Sequence, residues 1–217
     1  YAPHVMRLTD GRLLMVGWLH EERSQQACQE AGWSGSHSLP MVLDLLADGT
    51  VAIAPAQELQ TLRTVHWHKD QVNLLGDAQY TVSGITGKAL EIQVDFLPHG
   101  DAEFGLKVLC SPDEEEQTRI VYKPQTGQIF VERERASLDQ RANVNPATMP
   151  VDLAPGDPLH FQLFVDHSII ELFVNEKLCL ACRVYPTRED SHGVRFFSRR
   201  GHTELSDINI WEMAAIW

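Results

Sequence analysis

The fold is decided by the stretch FQLFVDHSIIELFVNEKLCLACRV, residues 161–184. Its apolar residues alternate with other residues on either side of two polar turns, 166–168 and 175–177. Because successive side chains of a strand point to opposite faces, this alternation gives each strand one apolar face. The stretch therefore predicts three antiparallel strands joined by short turns, with Glu171 facing away from the core.

Further short apolar segments, bounded by Gly, Pro, Asp or Asn, surround this stretch. They are predicted strands at residues 90–96, 104–110, 119–122, 128–132, 193–198 and 207–212. About ten strands over residues 70–217, with hardly any helix, predict an all-β fold. Its expected form is an antiparallel β-sandwich of the jelly-roll or lectin-like type. Residues 136–157, rich in Pro and Asn, show no clear periodicity and are predicted to be irregular.

The first third of the chain has a different organisation. Residues 13–19, 38–46 and 51–53 are predicted strands, with a polar loop at 20–31 between the first two. Three short strands of this kind fit part of a β-propeller blade, whose unit is a small antiparallel sheet. Residues 56–63 then have the character of a short helical turn leading into the sandwich.

The composition is that of a globular protein, and its charge excludes several classes of partner. A net charge of −12 leaves no concentrated basic face, so neither nucleic acid nor an anionic membrane surface is expected. No apolar run approaches the roughly 18 residues that span a bilayer. Four cysteines and the lack of an Asn-x-Ser/Thr sequon favour a cytoplasmic over a secreted location. The chain begins at Tyr1, so we expect a processed or cut product whose signal sequence cannot be read.

Two blocks of sequence resemble glycoside hydrolase family 32, the invertase, inulinase and levanase family. In the first block, GWSGSHSLP at residues 32–40 lies between Tyr-Ala-Pro at 1–3 and ELQTLR at 58–63. In the second, VDHSIIELFVN at 165–175 is followed by Arg-Val-Tyr-Pro at 183–186. Both blocks occur in the order that the family has them.

The resemblance implies the C-terminal part of such an enzyme. Residues 1–66 would be the last blade of a five-bladed propeller, and residues 67–217 the C-terminal β-sandwich. The parent protein would cleave fructose-containing carbohydrates, β-fructofuranosides such as sucrose, inulin or levan, with retention and without a cofactor. Three features depart from the family pattern: His167 replaces the usual Arg of the hairpin, Glu176-Lys177 replaces the Asp-Gly of its turn, and Met41 follows Pro40 where Arg is usual. Because Met41 stands in place of that Arg, the sequence does not predict which of these fructosides is the substrate.

The catalytic carboxylates of the family are not found by motif. A retaining glycosidase needs two carboxyl groups about 5–5.5 Å apart. The family's Trp-x-Asn-Asp-Pro-Asn, Arg-Asp-Pro and Glu-Cys motifs do not occur here, and the one Asp-Pro pair is Asp157-Pro158. We therefore assign no catalytic residue and expect this chain alone not to hydrolyse sugar.

Three aromatic residues are the candidate substrate contacts that the resemblance implies: Tyr1, Trp18 and Trp33. An aromatic face packs against the C–H face of a sugar ring and buries apolar area. The alternative is that Trp18, at the end of an apolar strand, belongs to the core, and that Trp33 also has a purely structural role.

Other candidate sites have simpler interpretations. His66 and His68 form half of a metal site without a third ligand nearby, so no metal site is predicted. Cys179 and Cys182 are expected to be free buried thiols, because their spacing in a strand sends them to opposite faces. Asp166 and Glu171 are expected to be solvated at the surface or at an interface, the alternative being a sugar contact. The acidic run 113–116 is expected to be a solvated hairpin tip.

Two further functions compete with the enzyme: a stand-alone carbohydrate-binding module and an oligomerisation module, both common uses of a β-sandwich. A single blade favours the enzyme, because its apolar surface would lack its usual neighbours. We expect Leu14, Val16 and Leu39 to be covered either by self-association or by folding of the blade against the sandwich.

Overall fold

The computed structural model describes residues 1–154 and 156–216 of the chain. Its first part is a small antiparallel sheet with strand order β1-β2-β5-β6, here called the N-terminal sheet. In chain order the elements are β1 (His4–Arg7), β2 (Leu13–Val16), β3 (Trp18–Leu19), α1 (Gln25–Ala31), β4 (Ser36–His37), β5 (Met41–Leu45) and β6 (Val51–Pro55). Strands β3 and β4 form a separate two-stranded ribbon, and a 3₁₀ helix, Gln57–Leu62, follows β6.

The rest of the chain forms two six-stranded antiparallel sheets. Sheet I has the order β13-β12-β11-β10-β17-β8, and sheet II has the order β16-β15-β14-β9-β18-β7. The strands are β7 (Arg63–Leu75), β8 (Ala78–Thr81), β9 (Ala89–His99), β10 (Glu103–Cys110), β11 (Thr118–Lys123), β12 (Gln128–Glu132), β13 (Ala147–Pro150), β14 (Leu159–Asp166), β15 (Ile169–Val174), β16 (Leu178–Arg183), β17 (Gly193–Arg199) and β18 (His202–Met213).

The main core lies between sheets I and II. Apolar residues at alternate positions of β9, β14 and β15 are almost completely buried there, including Phe96, Phe161 and Leu172. Phe96 packs against Phe104 of β10 and Phe161 of β14, with ring centroids 5.1 Å apart in both pairs. The predicted all-β sandwich is therefore confirmed, and so is the hairpin within residues 161–184 that predicts it.

A second, smaller core joins the N-terminal sheet to the outer face of sheet II. Phe164 and Phe173 of sheet II pack there with Met41, and the half-buried Leu39 and Ile53 extend the contact. In the described part of the chain, the N-terminal sheet is therefore folded against the sandwich. This is one of the two arrangements expected for a lone blade.

Three sequence predictions of local structure are wrong. Residues 20–31 are not a loop throughout, because α1 begins after Ser24, whose side chain caps it, and ends at Gly32 in the left-handed conformation. Residues 136–157 contain strand β13, which pairs with the regular strand β12. The predicted strand 13–19 is divided at Gly17 into β2 and β3.

Two acidic groups predicted to be solvated are buried. Glu116 is 0% exposed, because the segment 187–191 and the backbone of Leu138 cover its carboxylate with hydrogen bonds. Glu171 does point away from the main core, as predicted, but the N-terminal sheet covers it and leaves it 1% exposed. Asp166, in contrast, is exposed.

The cysteines lie as predicted on opposite faces of β16. Cys182 is buried in the main core, whereas Cys179 is half-buried against the N-terminal sheet. Among the described residues, no helix is long and apolar enough to cross a membrane.

Candidate functional site

The three predicted substrate contacts occupy two different places. Tyr1 and Trp18 lie together with His20, with ring-centroid distances of 6.3 Å from Tyr1 to Trp18 and 4.4 Å from Trp18 to His20. Trp33 instead lies against Arg23 and the sandwich. We call the first group, Tyr1, Trp18 and His20, the aromatic cluster.

Backbone hydrogen bonds fix the aromatic cluster at one edge of the N-terminal part. The Trp18 N–H donates to the Tyr1 carbonyl at 2.8 Å, and the backbone nitrogen of Tyr1 donates to the Trp18 carbonyl at 2.9 Å. Trp18 is also paired with His37 in the β3–β4 ribbon. Trp18 is 38% exposed and Tyr1 76%, so the cluster presents aromatic surface to solvent. A surface of this kind has the chemistry to pack against a sugar ring.

Gly35 determines how closely the backbone approaches Trp18. Its φ is +78°, and a Cβ built on it would lie 2.7 Å from Cε2 of the indole ring. Its N–H donates to the Glu21 carboxylate at 2.8 Å. A glycine is therefore needed here both for backbone conformation and for space.

Trp33 lies close to two arginines at the junction with the sandwich. The guanidinium carbons of Arg23 and Arg183 lie 4.8 Å and 5.0 Å from the centroid of its ring. With Tyr185 and Lys88, Trp33 also lines a cleft of about 310 Å³. Because Trp33 is 47% exposed, one side of the ring remains open to that cleft.

Glu21 connects these two places electrostatically. Its burial opposes ionisation, but hydrogen bonds from the Gly35 N–H and the Tyr185 hydroxyl, with the charges of Arg183 and Arg23, hold its pKa below the usual value. The same Tyr185 hydroxyl accepts from the Glu22 N–H at 2.8 Å, and its own pKa is raised by burial and by the bond to Glu21. The loop that carries Trp33 is thus tied to the sandwich by buried charges.

Glu171 is a further buried carboxyl group at the junction, and its role was not predicted. The Leu39 N–H donates to its Oε1 at 2.7 Å, but Oε2 has no hydrogen-bond partner among the described residues. Burial raises the pKa of Glu171 to about 7, since this single bond offsets little of the desolvation and Asp166 adds a like charge. The alternation of apolar residues predicts that Glu171 faces away from the main core, but nothing in the sequence predicts that the N-terminal sheet covers it.

We expect Gly35→Ala to destabilise the protein by about 1–3 kcal/mol more than Gly32→Ala. Both glycines have a φ near +80°, so both variants strain the backbone, but a Cβ at Gly32 meets nothing within 4 Å. The difference therefore isolates the collision with Trp18. Urea unfolding followed by tryptophan fluorescence measures both free energies. Equal losses in the two variants would show that the Trp18 ring moves aside freely.

Comparison with known proteins agrees with this architecture. The family model described as glycosyl hydrolases family 32 C terminal matches residues 58–212. A levanase of Bacillus subtilis strain 168 is 27% identical over 96% of the chain, and a sucrose-6-phosphate hydrolase of Zymomonas mobilis is 23% identical over 98%. A crystal structure of fructan 1-exohydrolase IIa from Cichorium intybus superposes on 99% of the chain with a TM-score of 0.91 and 23% identity.

The chain is much shorter than these proteins. It spans 32% of the levanase, 41% of the sucrose-6-phosphate hydrolase and 48% of the exohydrolase chain. The match of the family model covers most of the sandwich and includes the hairpin at 161–184. The chain therefore belongs to glycosyl hydrolase family 32, and its residues 58–212 are the C-terminal domain of that family.

Proposed function

We propose that this chain supplies the last propeller blade and the β-sandwich of a retaining hydrolase of β-fructofuranosides. Residues 1–66 would belong to the five-bladed propeller and residues 67–217 would form the sandwich. The observation that carries the proposal is the family match over residues 58–212. The relatives named above are hydrolases of sucrose 6-phosphate or fructans, so a fructose-containing carbohydrate is the proposed substrate class of the whole protein.

The contacts at the junction support a stabilising role for the sandwich. The N-terminal sheet is attached to sheet II by the apolar contact of Met41 with Phe164 and Phe173. Hydrogen bonds from the N–H groups of Leu39 and Ile53 to β15 and the turn after it reinforce this contact. We propose that the sandwich fixes the last blade and, through it, the rest of the propeller.

The two edge strands of the N-terminal sheet, β1 and β6, carry exposed apolar residues that suit contact with a neighbouring blade. Val5 and Met6 of β1 and Val51 of β6 are more than half exposed, although all three are apolar. In the proposed enzyme the preceding blade covers this surface. In the chain by itself, the same surface favours self-association. Self-association would be contradicted if light scattering showed a monodisperse monomer and this monomer bound no hydrophobic dye.

The aromatic cluster is the proposed part of the chain that faces substrate. Tyr1 and Trp18 offer exposed rings for stacking on a sugar. Trp33 remains a candidate contact through the cleft that it lines with Tyr185. These residues would bind and orient the carbohydrate, whereas the carboxylates that cleave it would come from the preceding part of the propeller.

We expect the 217-residue chain alone to release no fructose from sucrose, inulin or levan. The reason is that no acidic residue lies in any of the family's catalytic motifs. Reducing-sugar release measures this directly, with an intact fructosidase as the positive control. Turnover by the isolated chain would contradict the assignment of the catalytic carboxylates to another part of the protein.

Sequencing the coding region upstream of Tyr1 distinguishes the proposed hydrolase from a stand-alone binding module. A Trp-x-Asn-Asp-Pro-Asn motif roughly 250–300 residues earlier, as expected from the size of a propeller domain, supports the hydrolase. An upstream region without such a motif favours a stand-alone carbohydrate-binding or oligomerisation module.

A further inference from the structure

Two histidines lie side by side on neighbouring strands of sheet II, at the end of the sheet where β9 finishes and β18 begins. His99 and His202 are direct cross-strand partners. Their rings are stacked, with centroids 4.7 Å apart and an interplanar angle of 14°. Leu75 of β7 is the other neighbour of His202 in the sheet. Thr203 and Leu205 are buried, whereas His202 is not, so the pair lies on the outer face of the sandwich, and neither histidine lines the cleft.

Glu204 adds a carboxylate to this pair. It is two residues beyond His202 in β18 and so projects from the same face of the sheet. Its Oε1 lies 3.0 Å from Nε2 of His99. One potential ligand atom from each of the three residues lies within 4.8 Å of the others. Two imidazoles and a carboxylate thus lie close together on one face of the sheet.

The hydrogen bonding of His202 is incomplete. Its Nε2 is buried and has no hydrogen-bond partner among the described residues. A buried polar nitrogen normally has a partner, and the lone pair of a neutral imidazole nitrogen binds a transition metal as readily as a proton donor. His66 and His68 of β7, which pairs with the other end of β18, provide a contrast, since both bind the Asn209 Oδ1.

We propose that His99, His202 and Glu204 form a binding site for a divalent transition metal, with Zn²⁺ as the ion of best fit. Nitrogen and carboxylate ligands suit Zn²⁺, whose bonds to them are about 2.0–2.2 Å long. The potential ligand atoms lie within 4.8 Å of one another, so rotation of the stacked imidazole rings would bring their lone pairs to one ion. Three protein ligands leave a fourth position for water. The bound ion would link the end of β9 to the start of β18.

The test is isothermal titration calorimetry, in which the 217-residue chain is first treated with a chelator and then titrated with ZnCl2. We expect a single equivalent to bind in the micromolar range and to raise the Tm, because the metal binds the folded state. His99→Ala and His202→Ala should each weaken binding about tenfold or more. The matched control is the double variant His66→Ala/His68→Ala, which removes two histidines from the same sheet and should bind as the wild type does.

Cobalt gives an independent measure of the coordination. We expect Co²⁺ to produce the visible absorption bands of a site of low coordination number, and these bands should disappear in the His99→Ala variant. A Zn²⁺ affinity that is equal in the wild type and in the His99→Ala and His202→Ala variants would overturn the proposal. So would the loss of binding in the His66→Ala/His68→Ala control.

Discussion

The Glu116→Gln variant is expected to lose about 3–5 kcal/mol of unfolding free energy, although glutamine has nearly the same shape as glutamate. Glu116 is 0% exposed and accepts five hydrogen bonds. The donors to Oε1 are the N–H groups of Leu138 and Thr187 and the Thr187 hydroxyl. Those to Oε2 are the Arg188 N–H and the Ser191 hydroxyl.

The amide of glutamine replaces one acceptor oxygen by a donor. An NH₂ group in either position faces at least one backbone N–H that cannot turn away, whereas a hydroxyl can rotate and accept from it. That backbone N–H would be buried without a partner, which costs more than the loss of an ordinary hydrogen bond. The segment 187–191 would then be held to the turn at 113–116 mainly by the exposed ion pairs of Arg188 with Asp113 and Glu115.

The pH dependence of this contribution has a definite sign. Burial opposes ionisation of Glu116, but the hydroxyl of Ser191 and the N–H groups of Thr187 and Arg188 hold its pKa below the usual value of 4.5. As the pH falls, the unfolded state therefore binds a proton at a higher pH than the folded state does. The stabilisation is complete above about pH 4.5 and is lost as the pH falls through the lowered pKa.

Urea unfolding at pH 7 measures the effect, and Glu115→Gln is the matched control. Glu115 is the neighbouring residue, and its exposed carboxylate pairs with Arg188 at 2.6 Å. A surface pair of this kind contributes at most about 1 kcal/mol. Similar losses in the two variants would contradict the role assigned to the buried carboxylate of Glu116.

The sequence predicts the sandwich well because the alternation of apolar residues is a local property. That pattern alone correctly predicts that Phe161, Leu163 and Val165 lie in the main core. The helix at 25–31 also has local signals, since Ser24 and Gly32 are typical capping residues. Its polar composition hides them, because no apolar stripe marks a buried face.

The buried carboxylates show where sequence information ends. Glu116 belongs to the run Asp-Glu-Glu-Glu, which resembles a solvated turn, and the groups that cover it are about seventy residues away along the chain. The outward face of Glu171 follows from alternation, but its burial depends on a third layer that packs there. The same holds for Trp18, at the end of a predicted strand, and Trp33, in a glycine-flanked loop, because the sequence does not reveal that they face different neighbours.

The Glu171→Gln variant is expected to be more stable than the wild type at pH 8, by on the order of 2–3 kcal/mol. Glu116 and Glu171 are both buried, but Glu171 accepts one hydrogen bond where Glu116 accepts five. Burial therefore dominates and raises the pKa of Glu171 to about 7. Glutamine keeps an acceptor oxygen for the Leu39 N–H and removes the charge that the site does not compensate.

The sign for Glu171 is opposite to that for Glu116. Between about pH 4.5, the usual pKa of the unfolded group, and about pH 7, the folded state holds a proton that the unfolded state has lost. The stability of the wild type therefore falls as the pH rises through this window and is constant above it. In Glu171→Gln this part of the decline is absent.

Thermal and urea unfolding from pH 4 to 8 measure the difference between wild type and variant. We expect it to be small at pH 4 and to reach its full size above pH 7. Glu176→Gln is the matched control, because it removes the same charge from an exposed position in the turn that follows β15. That change should alter the stability by no more than about 0.5 kcal/mol. A Glu171→Gln variant that is destabilised at pH 8, or whose difference from wild type does not vary with pH, would show that the Glu171 carboxylate is compensated by groups beyond Leu39. The attachment of the N-terminal sheet to the sandwich would then depend on its charge.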